Sequence, residues 1–175
     1  NKGTRIRVLH GSMPKKLKKG TCEMRKPEKM LIYNLFPLLA GKFSQWEPHF
    51  QRASDMGFNW IFVNPIQQPG QSGSLYSIAD YGAFNPLLIN QNSAKNPQQQ
   101  VKDMTEKAAS LGLRLMVDLV INHCAADSRL LSSHPQWFLW DKPGKVSHPF
   151  CDENGHKVVW KDLAKFDHKH TSDPE

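Results

Sequence analysis

Cysteine is scarce in this chain of 175 residues: only Cys22, Cys124 and Cys151 occur, an odd number with no CxxC pair. Such a set does not make a disulfide-stapled scaffold. Long apolar runs are missing too, and none approaches the roughly 18 residues that a membrane span requires. Neither GxGxxG nor GxxxxGK[ST] is present, so a nucleotide-binding α/β fold has no support. A uniform excess of one charge is also absent, although the formal net charge of +7 suggests otherwise. Residues 1–30 hold ten Lys/Arg against Glu23 and Glu28, whereas residues 31–175 hold thirteen Lys/Arg against fourteen Asp/Glu. The basic character belongs to one segment. The remainder, close to neutral, suits an uncharged substrate better than a polyanion. No signal peptide is visible, no compartment follows, and the cytoplasm is the working assumption.

What is present is an alternation of strands and helices. Residues 1–30, with Lys15-Lys16-Leu17-Lys18-Lys19, read as a basic linker or the tail of a preceding domain. A nucleic-acid-binding arm is the alternative, disfavoured because no aromatic residue interleaves the charges. Leu31 through Phe36 is an apolar run suited to a parallel strand covered on both faces. Ser44 and Glu47 have capping-box spacing, and Trp46, Phe50, Ala53 and Met56 recur at helical intervals before Gly57. Trp60-Ile61-Phe62-Val63 is a second strand, closed by Asn64-Pro65 and followed by about thirty loop residues, a length that usually serves function. Asn96-Pro97 opens a second helix with the stripe Val101, Met104, Ala108 and Leu111, ended by Gly112. Leu113 through Ile121 is a third strand. The expectation is therefore α/β, with parallel strands near 31–36, 60–64 and 113–121 and helices near 44–56 and 97–111, in right-handed βαβ units. An open sheet and a closed barrel both remain possible at this point. Residues 122–175 show no long periodic element.

In parallel α/β folds, function gathers where strands end. Three polar groups, Asp118, Asn122 and His123, close an otherwise apolar third strand. Alternation puts Asp118 and Val120 on one face and Leu119 and Ile121 on the other. A carboxylate on an inner face needs a partner, because a lone buried charge is costly.

These residues carry a resemblance. Asp118-Leu119-Val120-Ile121-Asn122-His123 resembles the D-x-x-x-N-H signature on strand three of the alpha-amylase family (glycoside hydrolase family 13). Leu75-Tyr76-Ser77-Ile78-Ala79-Asp80-Tyr81 is similar to the family's G-Y-x-x-x-D-Y stretch after strand two. Val63-Asn64-Pro65-Ile66, Phe84-Asn85-Pro86 and His134-Pro135-Gln136-Trp137-Phe138 resemble further landmarks in the same order. Trp160-Lys161-Asp162-Leu163 through Asp173-Pro174-Glu175 resembles the approach to helix three. The nearest flavour is a bacterial enzyme acting on alpha-glucans, of maltosyltransferase type. Leu75 replaces the usual glycine and Ser77 an acidic residue, which bears on the sugar contacts of that loop but not on the fold.

The resemblance implies a partial TIM (β/α)8 barrel: residues 31–121 as its first three strands and two helices, and residues 122–175 as a truncated domain B-like insertion. A whole barrel needs about 250 residues, so both chain ends are expected to be cuts. It implies that Tyr76 stacks on the sugar to be cleaved, that His123 hydrogen-bonds a hydroxyl of that sugar, and that Asp118 and Asp80 are structural charges of the active site. It implies Asn122, with Asp162 as a second donor, as ligands of calcium, an ion that prefers oxygen and that many relatives lack. The implied reaction is retaining, with a carboxylate nucleophile and a carboxylic acid about 5–5.5 Å apart. Neither role matches Asp80, Asp118 or any other carboxylate present, so both groups are expected beyond Glu175. The implied partner is an alpha-glucan or oligosaccharide. Two other readings stand beside this one: a carbohydrate-binding pseudoenzyme and a nucleic-acid-associated domain using the basic arm. Cys151, His156, His168 and His170 do not fit a structural zinc pattern. Trp137 and Trp140 suit either a glucan groove or the core of domain B.

Overall fold

The computed structural model of the chain describes residues 29–169. Most of the basic segment 1–30, together with Cys22, His170 and residues 173–175, lies outside them. The elements run β1 (Ile32–Leu35), α1 (Pro37–Ala40), α2 (Glu47–Asp55), β2 (Trp60–Val63), β3 (Gln67–Pro69), β4 (Ile78–Phe84), α3 (Pro97–Ser110), β5 (Arg114–Val117), β6 (His123–Ala125), α4 (Leu130–Ser133), β7 (Trp140–Lys142), β8 (Lys145–Val146), β9 (Phe150–Glu153), β10 (His156–Val159) and β11 (Leu163–Lys165). Strands β1, β2 and β5 form one parallel sheet in that order, in register Leu35↔Val63↔Val117. The three expected strands thus pair as expected, with α2 and α3 as the connections. No helix among the described residues is long and apolar enough to cross a membrane.

The helices cover one face of this sheet. Leu35, Ile61, Val63 and Leu113 pack with Phe43, Trp46, Phe50, Ala53, Met104 and Ala108 into the main core. Trp46 is wholly buried, donates from its indole nitrogen to Gly41 O at 2.9 Å, and meets Phe43 and Phe50 edge-on with centroids 5.0 and 6.3 Å apart. Among the described residues the other face is left uncovered: Ile32 is 46% exposed, and Asn34 is exposed with it. Arg114 lies over the Trp60 ring there, 5.5 Å from its centroid.

The start of α3 and the C-terminal ends of α2 and α3 follow the sequence closely. Asn96 Oδ1 accepts from Gln99 N at 2.9 Å, and Gln99 Oε1 accepts from Asn96 N, a reciprocal cap on α3. Phe58 N reaches Ala53 O and Leu113 N reaches Ala108 O, each at 3.0 Å, closing α2 and α3 with Schellman motifs. Those motifs need a left-handed residue, supplied by Gly57 and Gly112 at φ 82° and 75°. The start of α2 departs from expectation. Ser44 does not cap it; a 3-10 turn over Phe43–Gln45 comes first, with Gln45 Oε1 accepting from Lys42 N at 2.8 Å. The tighter turn places Phe43 and Trp46, three residues apart, on the same buried side.

Three further differences have physical causes. The third strand stops at Val117, not Ile121. Asp118 N still donates to Val63 O at 2.8 Å, but β2 then runs into Asn64-Pro65, and proline has no N–H for a continued ladder. The long loop after β2 contains the antiparallel ribbon β3·β4, irregular in register at both steps. Residues 122–169 are organised as β6·β11 and the hairpins β7·β8 and β9·β10, around a second core of Cys124, Phe138 and Ala164 with Tyr81, Trp137 and Phe166 against it. The β9·β10 turn is Asn154-Gly155, both at positive φ (55° and 80°), the pair best suited to a tight hairpin.

Because Phe50 is 1% exposed at the centre of the main core, Phe50→Ala should destabilise the chain by about 3–5 kcal/mol. Urea unfolding followed by circular dichroism checks this. A loss below about 1 kcal/mol would mean that the helices do not pack on the sheet as described.

Candidate functional site

The site begins at the C-terminal ends of the parallel strands. Asn64 and Asp118 follow directly on β2 and β5, whose last residues Val63 and Val117 are paired. Asn64 Nδ2 donates to the Tyr76 hydroxyl at 2.7 Å, while Asn64 Oδ1 is buried with no partner among the described residues. Tyr76 stands on the loop between β3 and β4, 40% exposed, so its ring offers a face to solvent while its hydroxyl is held.

His123 opens β6 and binds Tyr76 from the other side. Its Nε2 lies 3.1 Å from Tyr76 O, and its Nδ1 lies 2.9 Å from Asn122 Nδ2. A carbonyl accepts and an amide nitrogen donates, so Nε2 carries the proton and Nδ1 is bare. Burial is the main cause lowering the His123 pKa from its ordinary 6.5, opposed by the bond to Tyr76 O and by the Asp162 charge. The imidazole is therefore neutral near pH 7. Both ring nitrogens are engaged by the protein, and a sugar hydroxyl can reach one of them only by displacing Tyr76 O or the exposed amide of Asn122.

The sequence-derived site residues divide in two. Tyr76, Asn122 and His123 touch, and Asp162 is near enough for its charge to act on His123. Asp118 joins them by position at the strand end. Its carboxylate is half-buried, and among the described residues no side chain pairs with it. Asp80 sits apart on β4, where its Oδ1 accepts from Gly82 N at 2.7 Å, a local turn bond. It lines a groove of about 1200 Å³ with Tyr81, Leu119, Ile121, Asp127, Trp137 and His168.

Four residues not assigned a role in the sequence hold this site together. Asn64 fixes the Tyr76 hydroxyl. The Tyr81 hydroxyl, its pKa raised by burial, lies 2.9 Å from Val120 O and 3.0 Å from His123 O and shares its one proton between those carbonyls. His168 Nε2 donates to Ile121 O at 2.7 Å. Asp127 Oδ2 accepts from Gln71 N at 3.1 Å, tying the β3–β4 loop to the segment after β6. Beside that latch only glycine fits at position 70, since a Cβ there would run into Asp127 and lie 2.6 Å from Ala125 Cβ. Asn64 sits beside a proline at the strand end, where the sequence pointed; the other three contacts span 39 to 56 positions and leave no local pattern.

Calcium finds few donors here. The bond from Asn122 Nδ2 leaves Asn122 Oδ1 free, and Asp162 is nearby, but calcium takes six to eight oxygens. Among the described residues no group of three or more His, Cys, Asp or Glu gathers that could hold a metal. These residues alone do not fit the ion. Cys151 and His156, on the β9·β10 hairpin, are likewise not gathered with His168, which is committed to Ile121 O. Trp137 packs at the second core, stacked on His134 with centroids 4.0 Å apart. Trp140 is 39% exposed and donates to Pro135 O at 2.9 Å.

Comparison with known proteins gives a consistent picture. A sequence model of the glucanotransferase domain of glycogen debranching enzyme matches residues 26–138. The glycogen debranching enzyme of Saccharomyces cerevisiae is 33% identical over 94 residues, which is 53% of this chain and 6% of that protein. An oligo-1,6-glucosidase of the same yeast is 30% identical over 112 residues, 59% of this chain and 17% of that one. Among solved structures, an alpha-amylase of Lactobacillus plantarum and a maltogenic alpha-amylase of Thermotoga neapolitana each superpose with a TM-score of 0.64 at 28% identity, covering 79% of this chain and 32% of theirs. The chain thus spans a small part of the curated relatives and about a third of these structures.

Because burial lowers the His123 pKa, its folded midpoint should lie below 6.5 in a proton NMR titration of the ring. The unfolded state then takes up a proton first. Stability contributed by neutral His123 is present above about pH 6.5 and is lost as pH falls through the folded midpoint. His123→Gln should remove that part of the acid sensitivity. A midpoint at or above 6.5 would contradict the burial and the tautomer described.

Proposed function

The chain belongs to the glycogen debranching enzyme family through its glucanotransferase domain, and we propose that residues 31–121 are the first β/α units of a (β/α)8 barrel that acts on alpha-glucans by a retaining mechanism, with residues 122–175 as a domain B-like insertion. The observation that carries this reading is the chain of contacts Asn64–Tyr76–His123 at the C-terminal ends of three parallel strands, beside Asp118. Barrel enzymes place their chemistry at that end. The bare second face of the sheet, with Ile32, Asn34 and Phe62 along it, is where a barrel interior would close.

The surroundings of each residue support the role proposed for it. Tyr76 offers its ring to the apolar CH face of a pyranose, where dispersion over the shared area is the attraction. The Asn64 bond leaves the ring little freedom, so less is lost on ordering it. Neutral His123 presents Nδ1 as an acceptor and Nε2–H as a donor, and a sugar hydroxyl exchanges with one of its present partners. Asp118 supplies a fixed negative charge at the strand ends. The nucleophile and the general acid lie elsewhere in the protein. Asp80 is occupied with a turn bond, and Asp118 is a single carboxylate where a retaining pair stands about 5–5.5 Å apart. The names of the relatives, which include glycogen debranching enzyme and oligo-1,6-glucosidase, support glucan as the substrate class.

Two outcomes are expected. Tyr76→Ala should weaken maltoheptaose binding about tenfold, a loss of ~1.4 kcal/mol that is within the reach of one ring contact. Isothermal titration calorimetry measures it, and unchanged affinity would remove Tyr76 from the sugar site. The chain as given should release no reducing sugar from a soluble alpha-glucan. Turnover abolished by Asp80→Asn or Asp118→Asn alone would mean that the chemistry resides in these carboxylates, and the retaining mechanism as assigned would fall.

A further inference from the structure

We propose that the recess between the two hairpins, β7·β8 and β9·β10, binds a phosphomonoester carried on a sugar, at a site separate from the one at the strand ends. The choice of a sugar as the carrier rests on the alpha-glucan reading above; the choice of an anion does not. The recess has a volume of about 540 Å³, and Lys145, Lys157, Lys161, Lys165 and His148 line it, with Asp141 as the one carboxylate in the lining among the described residues. That size suits a hexose phosphate. The part of the chain beyond residue 30 is close to neutral overall, so four lysines against one aspartate in a single lining are a local excess of positive charge.

The walls are fixed against each other by main-chain bonds. Ser147 N donates to Leu139 O at 2.8 Å, Lys165 N to Ser147 O at 3.0 Å, and Trp160 N to Pro149 O at 3.0 Å. His148 Nδ1 donates to Leu163 O at 2.7 Å, which leaves Nε2 for a ligand. Each nearby carboxylate is held by a partner of its own. Asp141 accepts from the Ser147 hydroxyl, which holds its pKa low, and lies 3.5 Å from Lys145 Nζ. Of the other nearby acids, Asp152 accepts from Gly155 N in the hairpin turn, and Glu153 accepts from Cys151 Sγ. Asp162 acts on His123, at the other site.

The four lysines therefore differ. Lys145 shares Asp141, and Lys157 lies over the Phe150 ring at 4.0 Å. Lys161 and Lys165 have no carboxylate partner among the described residues. Solvated lysines repel one another and spread apart; four from β8, β10, the turn after it and β11 meet here on one surface. A lysine is a compact point charge, suited to a phosphate dianion that accepts from several donors at once. Phe150, 57% exposed at the margin, supplies the apolar face that a pyranose ring requires.

The test uses the full chain, with glucose 6-phosphate, inorganic phosphate and maltoheptaose as probes in calorimetry and amide NMR. Glucose 6-phosphate should bind and shift residues 145–165 more than residues 76 and 123, and more tightly than inorganic phosphate. The Lys161→Ala/Lys165→Ala pair should weaken it at least tenfold, and Lys161→Arg/Lys165→Arg should restore most of the affinity. Added salt should weaken binding. Maltoheptaose should shift Tyr76 and His123 equally in both lysine variants, so that failure of the glucan site and failure of this one are read separately. Absence of glucose 6-phosphate binding, unchanged affinity in the alanine pair, or equal affinity for inorganic phosphate would each overturn the proposal.

Discussion

The half-buried Tyr81 hydroxyl anchors the arrangement around the strand ends. The third parallel strand loses its partner at Pro65, and the chain from Asp118 to Asn122 must satisfy its carbonyls without a ladder. Tyr81 takes Val120 O and His123 O, His168 takes Ile121 O, and Phe166 N takes Asn122 O. An unpaired buried carbonyl would cost more than each of these bonds contributes on its own. Once this segment is held, β6 starts at His123 in the direction needed to pair with β11, and the second core closes on Cys124.

Two packed units result, joined through the site. The main core lies between the parallel sheet and α2 and α3, and positions Asn64 and Asp118. The second core lies under the hairpins and positions His123 through β6. Contacts across the join among the described residues include His123 to Tyr76 O, Tyr81 to the 118–123 segment, Asp127 to Gln71 N, the Ser128 hydroxyl to Ala79 O at 2.7 Å and the Ser77 hydroxyl to Asp162 O at 3.2 Å. The proposed sugar site at Tyr76 lies on this join, so the orientation of the two units sets its geometry.

The two exposed chemistries of the chain are distinct. At the strand ends stand an aromatic ring, a neutral imidazole, two side-chain amides and the Asp118 carboxylate, a set whose chemistry suits hydroxyl groups. On the hairpins stand ammonium groups around an aromatic margin, a set that recognises an anion. Asp162 and Lys161 are adjacent in sequence, yet the first acts on His123 and the second lines the lysine recess. The turn that separates them divides the two surfaces.

The periods of Trp46, Phe50 and Ala53 and of Met104 and Ala108, with Asn96, Gly57 and Gly112 as punctuation, were enough to determine the two helices and the three strands they connect. Such signals lie within a few residues of the groups they organise, so a sequence carries them directly. The polar residues closing the third strand were legible for the same reason, and so was Tyr76 within its motif. The Asn154-Gly155 hairpin signal is equally local, although residues 122–175 were expected only to lack a long periodic element. Only the tertiary structure decided that the third strand stops at Val117, that one face of the sheet is uncovered among the described residues, and that both nitrogens of His123 are taken. It alone joined Tyr81 to Val120 across 39 positions and Gln71 to Asp127 across 56. Such contacts are selected by the packing of the whole chain, because each residue involved has a satisfactory local alternative in water and gives it up only when burial removes that water.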